Sequence, residues 1–426
     1  MHLSRRGLLR AGLATTSAAL LGGAAAGCSV PAGSTGRNMT LWYWGGGLSD
    51  ALVADAAKRF TQVDLKATQI GGYFRSKLLT TLTARAHAPD ITGLKGEDIA
   101  SLLPNADQFI DLNTLGADKL KSQYLDWKWN QGTADDGRQI GFPIDTGPCV
   151  HYYRPDVFAK AGLPTEPADV AAAMSTWDDY FAAGEQLVKR VKGAYMVNDP
   201  LAIFGLAVGQ STARYVDKDR RFIGDQEHIT RAWDLALECM DRGIDSPYKS
   251  GTVDINAALE EGHLPSQLGA SWVAGDFKSQ LTKSKGKWRV AAMPDKPAND
   301  GGSFLGITRY CREPETAFEI ITWLLSPENQ TRGFVDASLF PSSPGSFGMP
   351  DMRKPDEFFG GQVTIDVFGP AAQQIPVAYN SPYDVALGAP IKDELTSVSI
   401  SGKNRKQAWR DAMSQCRRIA DHLGVS

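Results

Sequence analysis

The chain has 426 residues, 42% hydrophobic and 22% charged. That is the make-up of a globular protein with a sizeable core and room for two domains. A formal charge of −3 without any basic run argues against nucleic acid as a partner. None of the six histidines stands at metal-ligand spacing and no Cys-x-x-Cys pair occurs, so a zinc site is not expected.

The first residues carry the sharpest signal. Ser4-Arg5-Arg6-Gly7-Leu8-Leu9-Arg10 is followed by an uncharged, apolar and small stretch that ends in Ala25-Ala26-Gly27-Cys28. A charged start, an apolar middle and a small-residue end predict a secretory signal peptide over 1–27. The paired arginines are those of a twin-arginine signal. The small residues before Cys28 match a bacterial lipobox, with Ala25 where leucine is usual, so Cys28 is the expected lipidation site. Acyl chains embed at about 0.8 kcal/mol per buried CH₂, and two or more hold firmly. Residues 28–38, small and rich in Gly and Pro, predict a lipidated tether. No later window has about 18 unbroken apolar residues. The mature protein is expected outside the cytoplasm, held at the cell membrane. The four later cysteines, Cys149, Cys239, Cys311 and Cys416, are compatible with disulfides in that compartment and equally with buried thiols.

Met39 to Trp44 predicts a strand that breaks at Gly45-Gly46-Gly47. Ser49 to Phe60 has helical spacing with Ser49 as N-cap. Strands follow at 64–70 and 89–93, with helices at 76–86 and 96–103. Alternation of this kind predicts a parallel sheet in an α/β domain. Further on, 141–145 is extended, 150–153 is a strand and 155–161 a helix. Helices are expected at 177–191, behind Thr176, and at 228–241. Strands are expected at 268–272, 288–293 and 303–309. A helix over 315–325 stops at Ser326-Pro327, 340–350 reads as loop, and 406–423 is the final helix.

Several stretches in this order resemble one family: TLWYWGGG (40–47), APDITGLKGEDI (88–99), GFPIDTGPCVHYYRPDVFAKAGLP (141–164), LGASWVAG (268–275) and FEIITWLLSPENQTRGF (318–334). Together they are similar to an extracellular solute-binding lipoprotein of the oligosaccharide class, the receptor of an ABC importer. The resemblance implies an α/β fold of two discontinuous lobes joined by hinge strands, like periplasmic binding proteins. It places the N-terminal lobe at 39–145 plus 299–345 and the C-terminal lobe at 146–298 plus 346–426. The ligand, a sugar, would sit between the lobes and pass to a membrane permease. A monomer without cofactor or metal is implied.

Sugar hydroxyls suit carboxylates, amides and lysines, while the C–H faces of sugars lie well on aromatic rings. Open α/β sheets offer such groups on loops at the carboxyl ends of strands. Trp44 is a candidate there, with Glu97 and Asp98 beside Lys95, and Asp145 is a candidate where the first lobe crosses into the second. For the acids, helix-terminal and turn roles explain the same residue types. Trp272, among small neighbours at a strand-to-helix junction, is the leading candidate for stacking. Tyr379 and Tyr383 are expected to close the cleft, and Asp199 with Asn198 to line it, although Asn-Asp-Pro is also a plain turn. No catalytic residue is expected. A secreted glycosidase would need facing carboxylates, whereas Asp135-Asp136, Asp178-Asp179 and Glu260-Glu261 are sequence neighbours. The same fold binding a phosphodiester, with Arg75 or Arg154 as the fork, or a polyamine remains an alternative.

Overall fold

The computed structural model describes residues 37–248 and 253–426. The expected signal peptide and Cys28 lie outside the described residues. Arg37 and Asn38, expected in the tether, already belong to the first strand, β1 (Arg37–Tyr43). Its alternation buries Met39, Leu41 and Tyr43 on one face and turns Trp42 and Trp44 to the other. Helix Asp50–Arg59 follows, capped by Ser49, whose Oγ accepts from the Leu52 amide. The chain returns as β2 (Val63–Gln69), parallel to β1. After helix Phe74–Ala84, β3 (Ile91–Leu94) adds to the other side of β1, also parallel.

Two later strands complete this sheet in the opposite direction. β4 is Phe142–Pro143 and β9 is Phe304–Ile307; β5 to β8 are named below. The order is β2-β1-β3-β9-β4, with β9 antiparallel to β3 and β4 antiparallel to β9. The expected parallel sheet is therefore parallel in three of its five strands. β4 and β9 enter from the hinge instead of through a βαβ crossover, and so are not bound to its direction. One face packs on helices Asp50–Arg59 and Pro314–Leu324 through residues such as Leu52, Phe318 and Ile321. The other packs on helix Phe74–Ala84 and Leu102.

The second body is built around β6 (Cys149–Tyr153), flanked by β7 (Ser266–Ala270) and β8 (Arg289–Ala291). Both neighbours are antiparallel to β6. Every residue of β6 is buried. Val150 and Tyr152 point into a core with Phe277, Trp288, Phe359 and Phe368. Cys149 and Tyr153 point into a larger one with Phe158, Phe181 and Trp233. That is the period-two alternation of a strand covered on both faces. Cys149, Cys239, Cys311 and Cys416 are all buried free thiols.

The bodies are joined where two segments pass side by side. Ile144 donates to Ser303 O, Asp300 to Gly147 O and Cys149 to Ala298 O, at 2.8–2.9 Å. The crossing is tight because it lacks side chains. A Cβ on Gly147 would stand 1.8 Å from Asp300 O, and one on Gly96 would stand 1.9 Å from Gly302 O. A third connection pairs β5 (Asp145–Thr146) with β10 (Phe340–Pro341), where the sequence suggested loop. Phe340 and Phe334 pack with the core of the second body, although the lobe division expected from sequence carries them with the first. Helix Pro327–Ala337, which brings them there, begins directly behind Ser326-Pro327. There proline sits at the first helical position, where it needs no N–H.

Among the described residues, no helix is long and apolar enough to cross a membrane.

Candidate ligand-binding cleft

A cleft of about 1010 Å³ opens between the two bodies. Its first wall comes from the carboxyl ends of β1 and β3, where the chain departs to opposite sides of the sheet. Such a switch point leaves a crevice. Trp44 sits there as a tightly held ring. A Cβ would meet it at 2.5 Å from Gly93 and at 2.7 Å from Gly47, so only glycine backbone fits beside it. Phe74 meets the ring edge-on at 5.2 Å between centroids. The Lys95 ammonium stands 5.3 Å from its centroid and 3.7 Å from the Glu97 carboxylate. Glu97 itself is exposed on the cleft wall.

The floor is the hinge crossing. Asp145 lines it, only 4% exposed, and its Oδ1 accepts from the Ser303 amide at 2.7 Å. Burial raises its pKa, and the nearby Lys128 ammonium opposes that shift.

The opposite wall follows β7. The Trp272 indole N–H donates to Asp300 O at 3.0 Å, which fixes the ring against the crossing while it stays 37% exposed. Helix Val273–Gln280 continues from it, and one turn and two turns on, Asp276 and Ser279 also line the cleft. Lys278 lines it too, with its ammonium 2.7 Å from Asp356. The end of helix Pro327–Ala337 closes one side with Val335 and Asp336, the latter accepting from Ser49 Oγ at 2.7 Å.

Of the sequence candidates, the cleft thus gathers Trp44, Lys95, Glu97, Asp145 and Trp272. Five others, Asn198 among them, are not among its lining residues. Asp98 is half-buried 3.6 Å from Arg75, and its pKa is raised by burial and by Glu97. Asp199 caps helix Pro200–Gly209 by accepting from the Leu201 amide at 2.9 Å, as its turn motif allows, beside a separate small depression that Asn198 shares. Tyr383 is engaged by Arg220, which donates to its hydroxyl at 3.0 Å and lies 5.3 Å from its ring centroid. Tyr379 is half-buried in the loop before helix Asp384–Ser401; burial and the Asp135 carboxylate both raise its pKa.

Asp276, Ser279, Asp300 and Asp336 also line the cleft and were not among the sequence candidates. The first two were within reach, since i+4 and i+7 from Trp272 share its helix face. Asp300 and Asp336 reach the cleft only through the crossing and the third connection, which no local pattern signals.

Chemically, among the described residues the cleft combines two indoles from opposite walls with five carboxylates and two lysines, and no arginine lines it. It can accept hydrogen bonds from many hydroxyls and offer flat apolar faces.

Two hinged α/β lobes around such a crevice define a two-lobed binding protein. The chain belongs to the bacterial extracellular solute-binding protein family, whose model matches residues 51–360. It is 24% identical over 390 residues to a lactose-binding protein of Rhizobium radiobacter, covering 85% of this chain and 86% of that one. Among solved structures, an extracellular solute-binding protein of family 1 superposes with a TM-score of 0.83 at 26% identity, over 90% of this chain and 100% of the other. The galacto-N-biose/lacto-N-biose I-binding protein of a Bifidobacterium longum ABC transporter, in complex with lacto-N-biose, gives 0.78 at 21% identity, over 92% and 98%.

Proposed function

We propose that this protein is the substrate-binding component of a bacterial ABC importer and captures a sugar between its lobes. The observation that carries this reading is the pairing of Trp44 and Trp272 across a cleft whose other polar groups are mainly carboxylates. Rings receive the C–H faces of a sugar, and carboxylates accept from its hydroxyls. The volume is ample for a disaccharide or somewhat more. The names of the relatives support the class: one binds lactose, another, 23% identical over 261 residues, binds arabinooligosaccharides. The sugar is bound and released intact, with lobe closure as the motion. In this reading the lobes divide near 145/146 and 298/299, with 327–345 shared between them. The signal peptide is removed, lipid on Cys28 holds the monomer at the outer membrane surface, and membrane permease subunits receive the cargo.

A second reading, a polyamine, is favoured by the excess of carboxylates over ammonium groups. A phosphodiester is disfavoured by the lack of an arginine fork among the described lining residues. Arg154 is spent on Asp156 and on backbone carbonyls, and Arg75 on Asp98.

A thermal-shift screen separates the readings: lactose, maltose and β-1,6-galactobiose against spermidine and glycerophosphodiesters. A ligand at a hundred times its Kd adds about 2.7 kcal/mol to apparent stability. The proposal expects stabilisation by a neutral sugar; stabilisation by spermidine alone would replace it with the second reading.

A further inference from the structure

Beneath the cleft floor lies a cation that the site as described does not use. Lys128, on the short helix Asp126–Gln131, is completely buried. An ammonium has three N–H donors. Among the described residues its side-chain hydrogen bond is a long one, to Gln131 Oε1 at 3.4 Å, and the Phe304 ring centroid is 3.7 Å away. A buried charge so sparsely bonded is costly, and an apolar side chain of the same length would fit with less penalty.

What the site gains from the charge is visible in what surrounds it. A Cβ built on Gly302 would stand 3.0 Å from Lys128 Nζ and 2.9 Å from Asp145 O, so only glycine backbone separates the ammonium from the Asp145 segment. The charges that act on Lys128 through space are those of Asp145 and Glu97, both cleft residues. Those acting on Asp145 are the charges of Lys128 and Glu97, together with the Ser303 amide. We propose that Lys128 is a positioning residue: its buried ammonium is the counter-charge that keeps Asp145 a charged acceptor on the cleft floor for a ligand hydroxyl. The inference rests on the sugar-binding reading for its purpose, but its electrostatic core stands apart from any ligand.

Burial works against both charges. It pushes the Asp145 carboxyl up and the Lys128 ammonium down, while each pulls the other back toward its charged form. Removing Lys128 leaves burial and Glu97 opposed only by the Ser303 amide, so the Asp145 titration moves to higher pH.

The test is made first on the free protein. Aspartate labelled with ¹³C at the carboxyl, with Asp145→Asn to assign the signal, reports the Asp145 midpoint by NMR. Lys128→Met is expected to raise that midpoint by about one pH unit or more, since one unit is a tenfold change in the charged fraction. The reciprocal measurement needs no apolar substitution at position 128: in Asp145→Asn, ¹³Cε-labelled Lys128 is expected to titrate at lower pH than in wild type. Coupling between two sites is mutual. Unchanged midpoints in either measurement would overturn the inference. Lactose titration then adds the purpose. The acid-side loss of affinity should begin at higher pH in Lys128→Met, and Lys128→Met should cost nothing further in an Asp145→Asn background. A shifted Asp145 midpoint in a protein that binds spermidine and no sugar would retain the pair and remove the sugar reading.

Discussion

The two walls of the cleft present the same kind of ring in opposite ways. Trp44 is wedged between the backbones of Gly47 and Gly93, met edge-on by Phe74 and topped by the Lys95 ammonium. Trp272 is tied by one hydrogen bond to the hinge crossing and keeps a face open. The first ring is part of its lobe's packing as well as of the cleft; the second is available to a ligand and costs its lobe little. A tryptophan at a cleft is therefore not one kind of residue, and the difference can be read from what occupies its faces.

Substitutions sharpen this contrast. Trp272→Ala is expected to weaken sugar binding most, by at least about 2 kcal/mol, or roughly thirtyfold. Its thermal midpoint should stay near that of wild type. Calorimetry with unchanged affinity would remove Trp272 from the site. Trp44→Ala should behave otherwise. It empties a packed space and is expected to cost about 2–3 kcal/mol of folding stability in addition to affinity. A Trp44→Ala protein as stable as wild type would erase the distinction between the walls. Glu97→Gln keeps the shape and removes the charge of an exposed acceptor; a loss near 1 kcal/mol, about fivefold, is expected in the same titration. At the small end, Tyr383→Phe should change sugar affinity by less than about 0.5 kcal/mol, because its hydroxyl and ring serve Arg220. A larger loss would bring Tyr383 back to the ligand.

Much of this arrangement was legible in the sequence, and the legible parts share a cause. β1, its capped helix and the glycines after Trp44 are local features, carried by alternation, a serine cap and backbone that must come close. Trp272 stood out because small residues surround it. The direction of β4 and β9 did not, since it is set by segments that meet only at the hinge. Helix Pro200–Gly209 also escaped, because a helix buried nearly all round has no polar face to give it a period. Asp199 shows the limit of a local motif: Asn-Asp-Pro predicts a cap or turn as readily as a ligand contact, and the cap is what the structure shows. Lys128 gave no signal at all, being one lysine between two tryptophans in a sequence with 45 basic residues.

The central claim is that a neutral sugar is held between the lobes and let go unchanged. Isothermal titration with lactose, maltose and β-1,6-galactobiose, followed by chromatography of the recovered sugar, tests it most directly. Saturable one-to-one binding of at least one of them is expected, abolished or strongly weakened in Trp272→Ala, with the sugar recovered intact. A well-folded protein that binds none of them, or that returns cleaved sugar, would contradict it.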